Sequence, residues 1–192
     1  GGWSMLGISL RSAGKVSESL MALQKVADAR PTDADAHNNL GVTYKELGEL
    51  DKAEGSYRLA IKIRPDFAEA YVNLGRTLLE LGDHSGARAN YVTAIELQPD
   101  SSSAHCMLGE LLFREHQYRD AVKEFELVDD ESGDIYLLKC SYALDDECAF
   151  FEQLDAFASK HPPNAVVGSL SSCAQLRYGR TTSDPFCNEP LR

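Results

Sequence analysis

The chain has 192 residues, of which 43% are hydrophobic and 26% charged, a balance ordinary for a folded chain and far from the composition that leaves segments disordered. A formal charge of −11 is at odds with the clustered Lys and Arg that phosphate binding needs, so nucleic acid is not an expected ligand and a neutral or basic protein partner is. No apolar run approaches the roughly 18 to 20 residues that span a bilayer, the start Gly1-Gly2-Trp3 lacks the features of a secretory signal, and the five cysteines (106, 140, 148, 173 and 187) include no C-x-x-C pair. The expectation is a soluble cytoplasmic protein with reduced thiols, no membrane contact and no structural zinc.

Along the chain, Pro31, Pro65 and Pro99 stand 34 residues apart, each closing a helix-patterned run: Val26-Ala27-Asp28-Ala29-Arg30, Ile61-Lys62-Ile63-Arg64 and Ile95-Glu96-Leu97-Gln98. Leu6-Gly7, Leu40-Gly41, Leu74-Gly75 and Leu108-Gly109 recur at the same interval, so four registers are in phase. Inside the second period Leu40, Tyr44 and Leu47 form one helical stripe, Gly48 breaks it, and Ala53, Tyr57, Ala60 and Ile61 form the next. The third period repeats this with Leu74, Leu78 and Leu81, then Gly82, then Ala87, Tyr91, Ala94 and Ile95. In the fourth, Leu108, Leu112, Ala121, Phe125 and Val128 keep the places, and Leu127 to Gly133 replace the last helical turn and its proline, which predicts an early stop.

Beyond Gly133 the strict period fades while helical spacing persists. Ile135, Leu138, Tyr142 and Leu144 predict one helix, and Phe150, Leu154, Phe157 and Ala158 a second, ending before His161-Pro162-Pro163. Asn164 is the expected N-cap of a last helix running to about Tyr178, with Gly179 as terminator and Val166, Val167, Leu170, Cys173 and Leu176 as its one buried face. The expected organisation is four hairpins over residues 1–133 (the first truncated, the fourth shortened), a degenerate fifth over 134–163, a capping helix over 164–179 and an extended tail or linker over 180–192.

The periods resemble the tetratricopeptide repeat, whose 34-residue unit carries a Trp, Leu-Gly, Tyr, Ala, Phe and Pro pattern. Trp3, Leu6, Gly7 and Pro31 carry the resemblance in the first period. Leu40, Gly41, Tyr44, Ala53, Tyr57, Ala60 and Pro65 carry it in the second, and Tyr71, Leu74, Gly75, Ala87, Tyr91, Ala94 and Pro99 in the third. The expected fold is all-α, a right-handed α-solenoid of antiparallel helix pairs with a C-terminal capping helix and no strand, because a lone hairpin cannot bury both its apolar faces. The small residues Gly41, Gly75, Ala53 and Ala87 let paired helices approach, and Tyr57, Tyr91 and Phe125 are expected to fill the space between neighbouring hairpins.

The resemblance implies a scaffold that binds a peptide segment or partner domain in a groove lined by the first helix of each pair. Carried over by register, the peptide-binding residues are Asn38, Asn39, Val42 and Lys45, then Val72, Asn73, Arg76 and Leu79, then Met107, Glu110, Phe113 and Arg114. Asp35, Glu46, Glu69, Glu80, Ser103 and Cys106 share that lining. Asn39 and Asn73 occupy one place in successive repeats, similar to the asparagine ladder of protein O-GlcNAc transferases, and a side-chain amide can both donate to and accept from a peptide backbone. The Lys and Arg residues of the carboxylate clamp that grips chaperone C-termini are absent.

No catalytic site is legible. His37 and His105 fall at the aromatic packing position of Trp3 and Tyr71, His84 follows a turn, His116 replaces the turn glycine, and His161 precedes two prolines. No H-E-x-x-H, G-x-S-x-G or facial-triad spacing occurs, so no metal or cofactor is expected, and the acids around the fifth hairpin lack a regular oxygen-ligand spacing. The ending Asp184-Pro185-Phe186-Cys187-Asn188-Glu189-Pro190-Leu191 resembles the join at which bacterial tetratricopeptide repeats precede an iron and 2-oxoglutarate-dependent oxygenase domain. That resemblance implies the alternative of an N-terminal module of a larger enzyme, with its catalytic ligands outside this chain.

Overall fold

A computed structural model describes residues 2–162 and 165–179, which form eleven α-helices and no strand. They fall into two compact units, one ending at Ala104 and the other beginning at His105. Asn164 and the tail, residues 180–192, lie outside the described residues, and with them the expected N-cap and the oxygenase-like join.

The first unit contains α1 (Gly2–Ser12), α2 (Val16–Ala29), α3 (Ala34–Glu46), α4 (Leu50–Ile63), α5 (Ala68–Glu80) and α6 (His84–Leu97), packed as three helix pairs. Each pair turns on a glycine in the left-handed region, Gly14 at φ 75°, Gly48 at 75° and Gly82 at 87°, where an L side chain would be strained. Asp33 caps α3 by accepting from the Ala36 N–H at 3.1 Å, and Asp83 caps α6 by accepting from the Gly86 N–H at 2.9 Å. At the other ends Arg30, Arg64 and Gln98 donate their backbone N–H to Val26, Ala60 and Ala94, and the periodic prolines stand directly after them.

Packing within a pair depends on missing side-chain volume. A Cβ on Gly41 would lie 2.6 Å from the Tyr57 ring, and one on Gly75 would lie 2.5 Å from the Tyr91 ring. The tyrosines therefore sit against the glycines of their own hairpin. In the first pair Leu23 takes the aromatic place against Gly7, and Ser19, at a usual alanine position, is buried and donates its hydroxyl to the Gly7 carbonyl at 2.7 Å. That bond removes the cost of burying a hydroxyl there. Between pairs, α2 packs on α3 and α4 on α5, with Leu23, Ala27 and Leu40 forming one buried cluster.

The second unit, from His105 on, takes in most of α7 (Ser102–Arg114), then α8 (Tyr118–Phe125), α9 (Glu131–Ala143), α10 (Glu147–Lys160) and α11 (Ala165–Tyr178). The helix α8 stops after 8 residues, as the sequence of the fourth period predicts. The helix α9 opens at Glu131, three residues ahead of the boundary expected from the fading period, because the Asp130 side chain caps the N–H groups of Ser132 and Gly133 at 2.8 and 3.0 Å. Phe125 lies against Gly109 and stacks on Tyr136 with centroids 4.7 Å apart. A second core gathers Leu138, Phe150, Phe151, Leu154, Phe157, Val167 and Ala174.

One expectation about α11 fails. Val167 and Ala174 face the core, but Val166 is 46% exposed, Leu176 is 89% exposed and Cys173 is exposed. The apolar residues of this helix are spread around it, so choosing them by type rather than by angular position merged two faces.

Candidate peptide-binding face

In the first unit α3 contacts both α1 and α5, so three first helices lie side by side. Each sends the same register positions onto a shared face. Arg11 and Lys45 are equivalent, as are Glu46 and Glu80, and they pair across helices: Arg11 Nε to Glu46 at 3.6 Å and Lys45 Nζ to Glu80 at 2.7 Å. Leu79 holds the next equivalent place and has no charge to continue the ladder. At the edge Arg64 of α4 donates to Asp35 Oδ1 at 3.1 Å, which holds the Asp35 carboxyl below its ordinary range, against the opposing pull of partial burial.

The amides form the floor. Asn38 is buried, its Nδ2 donates to Glu69 Oε1 at 3.2 Å, and its Oδ1 accepts from Asn73 Nδ2 at 3.1 Å. Asn39 donates instead to the Asp35 carbonyl of its own helix at 2.8 Å. The two equivalent asparagines thus differ in use: Asn73 is tied across helices to Asn38, and Asn39 is tied back along α3. Both remain half-buried. Thr43 and Thr77 are buried and donate to the Asn39 and Asn73 carbonyls, each at 2.9 Å, fixing the backbone beneath.

Of the residues expected on this face, Val42, Lys45 and Leu79 are half-buried, and Arg76 is exposed and enters no hydrogen bond or ion pair among the described residues. Asn38 and Val72 are corrected to floor positions, too buried to meet a ligand directly. Below them the Tyr57 hydroxyl is buried with no hydrogen-bond partner among the described residues. Burial pushes this phenol well above its ordinary range, with Arg76 and Arg11 acting in the opposite sense. The cross-helix role of Asn38 had no periodic signal, since Val72 and Cys106 hold its place in the next repeats.

In the second unit Met107, Glu110 and Phe113 are half-buried and Arg114 is exposed. Phe113 meets Tyr118 and Tyr136 edge-on, with centroids 5.3 and 5.8 Å apart, and Cys106 Sγ approaches Glu110 at 3.9 Å. The histidines have structural partners: His37 Nε2 lies 2.9 Å from the Pro31 carbonyl, His105 Nδ1 2.7 Å from Glu124, and His161 Nε2 2.8 Å from Asp134. Among the described residues no group of three or more His, Cys, Asp or Glu side chains is placed to hold a metal ion, and no helix is long and apolar enough to cross a membrane. A cleft of about 620 Å³ lies over the other flank of α3, between α2 and α4, floored by His37, Leu40 and Tyr44.

Helix pairs repeated at 34 residues, locked by a glycine under an aromatic ring and presenting one register face in common, define an α-helical repeat of the kind typical of protein-interaction scaffolds. The chain belongs to the tetratricopeptide repeat family: profiles described as "Tetratricopeptide repeat" match residues 34–67 and 56–89, and one described as "TPR repeat" matches residues 7–48 and 75–115. Together they run unbroken over residues 7–115, more than half of the chain. No curated protein matches it. Among solved structures it is similar to PilF of Pseudomonas aeruginosa, with a TM-score of 0.82 and 22% identity over 93% of this chain and 83% of that one. It is also similar to a thermophilic TPR protein of Thermus thermophilus, TTC0263, with a TM-score of 0.70 and 16% identity over 91% of this chain and 98% of that one. A third is YrrB, described as a TPR protein with an unusual peptide-binding site, with a TM-score of 0.69 and 16% identity over 88% and 90% of the two chains. At these identities the likeness is one of fold.

Proposed function

We propose that the face formed by α1, α3 and α5 binds an extended peptide segment of a partner protein, with Asn39 and Asn73 contacting its main chain and Arg76 receiving an acidic group. The observation that carries this is the uneven use of cations. Arg11 and Lys45 are each neutralised by a glutamate of the adjacent helix, whereas Arg76, one turn beyond Asn73, is exposed and has no such partner among the described residues. Leu79 and Val42 supply apolar contact beside it. The −11 charge of the whole chain favours a partner of neutral or positive net charge at long range, and Arg76 selects one acidic position within it. YrrB, a structural neighbour described as having a peptide-binding site, lends this use of the fold support by analogy alone.

Peptide display against the intact chain, followed by calorimetry on the recovered peptides, tests this. Asn39→Ala is expected to weaken binding by about 0.5 to 1.5 kcal/mol, the net value of one hydrogen bond, and Arg76→Ala by about 1.5 to 3 kcal/mol, the range for a charged one. Neither residue supports the core, so thermal unfolding should hold steady. Peptides that bind both variants as tightly as the parent would place the binding surface elsewhere.

A further inference from the structure

The cleft between α2 and α4 has a wall that the repeat itself does not require. Gly55 lines it from inside α4, where glycine makes a weaker helix than alanine. Its φ lies outside the left-handed region, and nothing comes within 4 Å of the Cβ that another residue would carry there, so neither backbone nor packing calls for glycine. The equivalent residues of the neighbouring hairpins are Met21 and Ala89. The cleft thus owes part of its space to a residue that weakens its own helix.

The floor holds an unused acceptor. His37 is 8% exposed and its Nε2 lies 2.9 Å from the Pro31 carbonyl. A carbonyl only accepts, so the neutral ring carries its proton on Nε2 and leaves Nδ1 as an acceptor, which has no hydrogen bond among the described residues. On the α2 wall Tyr44 donates its hydroxyl to Gln24 Oε1 at 3.2 Å, and Gln24 Nε2 donates to Asp28 Oδ1 at 3.1 Å. That relay holds Asp28 in place and leaves its Oδ2 open among the described residues. On the α4 wall Lys52 is paired with Glu49 and lies over the Tyr44 ring at 5.5 Å. The cation of the cleft is therefore neutralised, and its carboxylate is not.

We infer that this cleft receives an arginine side chain of a partner protein. The N–H groups of a guanidinium suit the two acceptors the chain leaves open, Asp28 Oδ2 and His37 Nδ1, while its flat face and aliphatic stem suit Tyr44, Leu40 and Leu59. An indole would bring one donor and no charge for Asp28, and an ammonium lacks the planar fork. The unpaired carboxylate attracts a cation locally and the −11 charge of the chain does so at longer range. The cleft is a trough between two helices, open along its length, which leaves room for the backbone that carries the side chain. It lies on the flank of α3 away from the α1, α3 and α5 face, so the inference does not rest on peptide binding there.

Titration of the intact chain with N-acetyl-arginine N-methylamide, followed by NMR of the His37 ring, tests this. The expected result is a saturable shift of the His37 signals, with nitrogen shifts that mark Nδ1 as the unprotonated atom. The matching citrulline derivative keeps the shape and loses the charge, and it should bind about tenfold more weakly. Asp28→Asn should bring arginine down to the level of citrulline. Gly55→Met, which installs the residue of the preceding hairpin, should remove most of the binding while the melting temperature holds or rises. The inference is overturned by the absence of a saturable shift at His37, by equal affinity for arginine and citrulline, or by undiminished binding to Gly55→Met. Free arginine binding more tightly than the blocked residue would overturn it as well, since the ligand would then be the amino acid and not a protein side chain.

Discussion

The regular hairpins and the fifth one reach the same burial with opposite distributions of volume. Counting from the turn residue with positive φ, the positions seven before and five, nine and twelve after it hold Gly41, Ala53, Tyr57 and Ala60 around Gly48, and Gly75, Ala87, Tyr91 and Ala94 around Gly82. Around Asp145 the same offsets hold Leu138, Phe150, Leu154 and Phe157. All are buried. In the regular hairpins one ring fits where glycine leaves room, so the fit is specific to each position. In the fifth, Leu138, Phe150 and Phe157 occupy places held elsewhere by glycine and alanine, Leu154 takes the place of the tyrosine, and burial is kept by bulk. A family pattern of small residues at fixed places vanishes under such exchange, while the turn and the helical spacing remain.

The largest effect should come from emptying either core. Tyr91→Ala is expected to cost about 3 to 5 kcal/mol in denaturant unfolding. Phe150→Ala installs the alanine that the regular hairpins carry at that offset, and it should cost about as much, because the room around it is built for a ring. A near-neutral Phe150→Ala would break the comparison, showing that the fifth hairpin can relax to the regular packing.

A smaller effect separates two glycines of the regular region. Gly75→Ala should destabilise by about 1 to 3 kcal/mol, since its new Cβ falls 2.5 Å from the buried Tyr91 ring. Gly55→Ala, with nothing within 4 Å of its Cβ, should stabilise α4 by about 0.5 to 1 kcal/mol. Paired thermal melts of the two variants decide the matter, and equal signs would mean that the lock between glycine and ring contributes nothing.

A last effect is a pH dependence to which the fifth hairpin contributes through one buried thiol. Burial pushes the Cys140 thiol up to about 12 from its ordinary 9.0. The native state therefore holds a proton that the unfolded state releases, so this contribution to stability is complete below pH 9.0 and is lost as pH rises from there toward about 12. Thiol labelling near pH 8 should modify the exposed Cys148 and Cys173 quickly and Cys140 only on unfolding. Rapid labelling at Cys140 would show that this core opens locally.

The helix count, the turns and the repeat register were all legible in the sequence, because proline, glycine and apolar spacing act locally and recur every 34 residues. His116 could be assigned to a turn-glycine position from register alone, and it adopts φ 61°. The state of the candidate face was not legible. Whether Asn73 stands free or donates to Asn38 depends on how far α3 and α5 approach, and Asn38 belongs to no periodic pattern. Which residues of α11 face outward was hidden for a related reason. Residue type shows which groups prefer burial, but only the packing of α11 on α9 and α10 selects which of several apolar faces turns inward, leaving Val166 and Leu176 outside. Sequence thus determined the local periodic elements, and the tertiary structure decided the pairing across helices, because hydrogen bonds and faces between distant segments are fixed only when the segments meet.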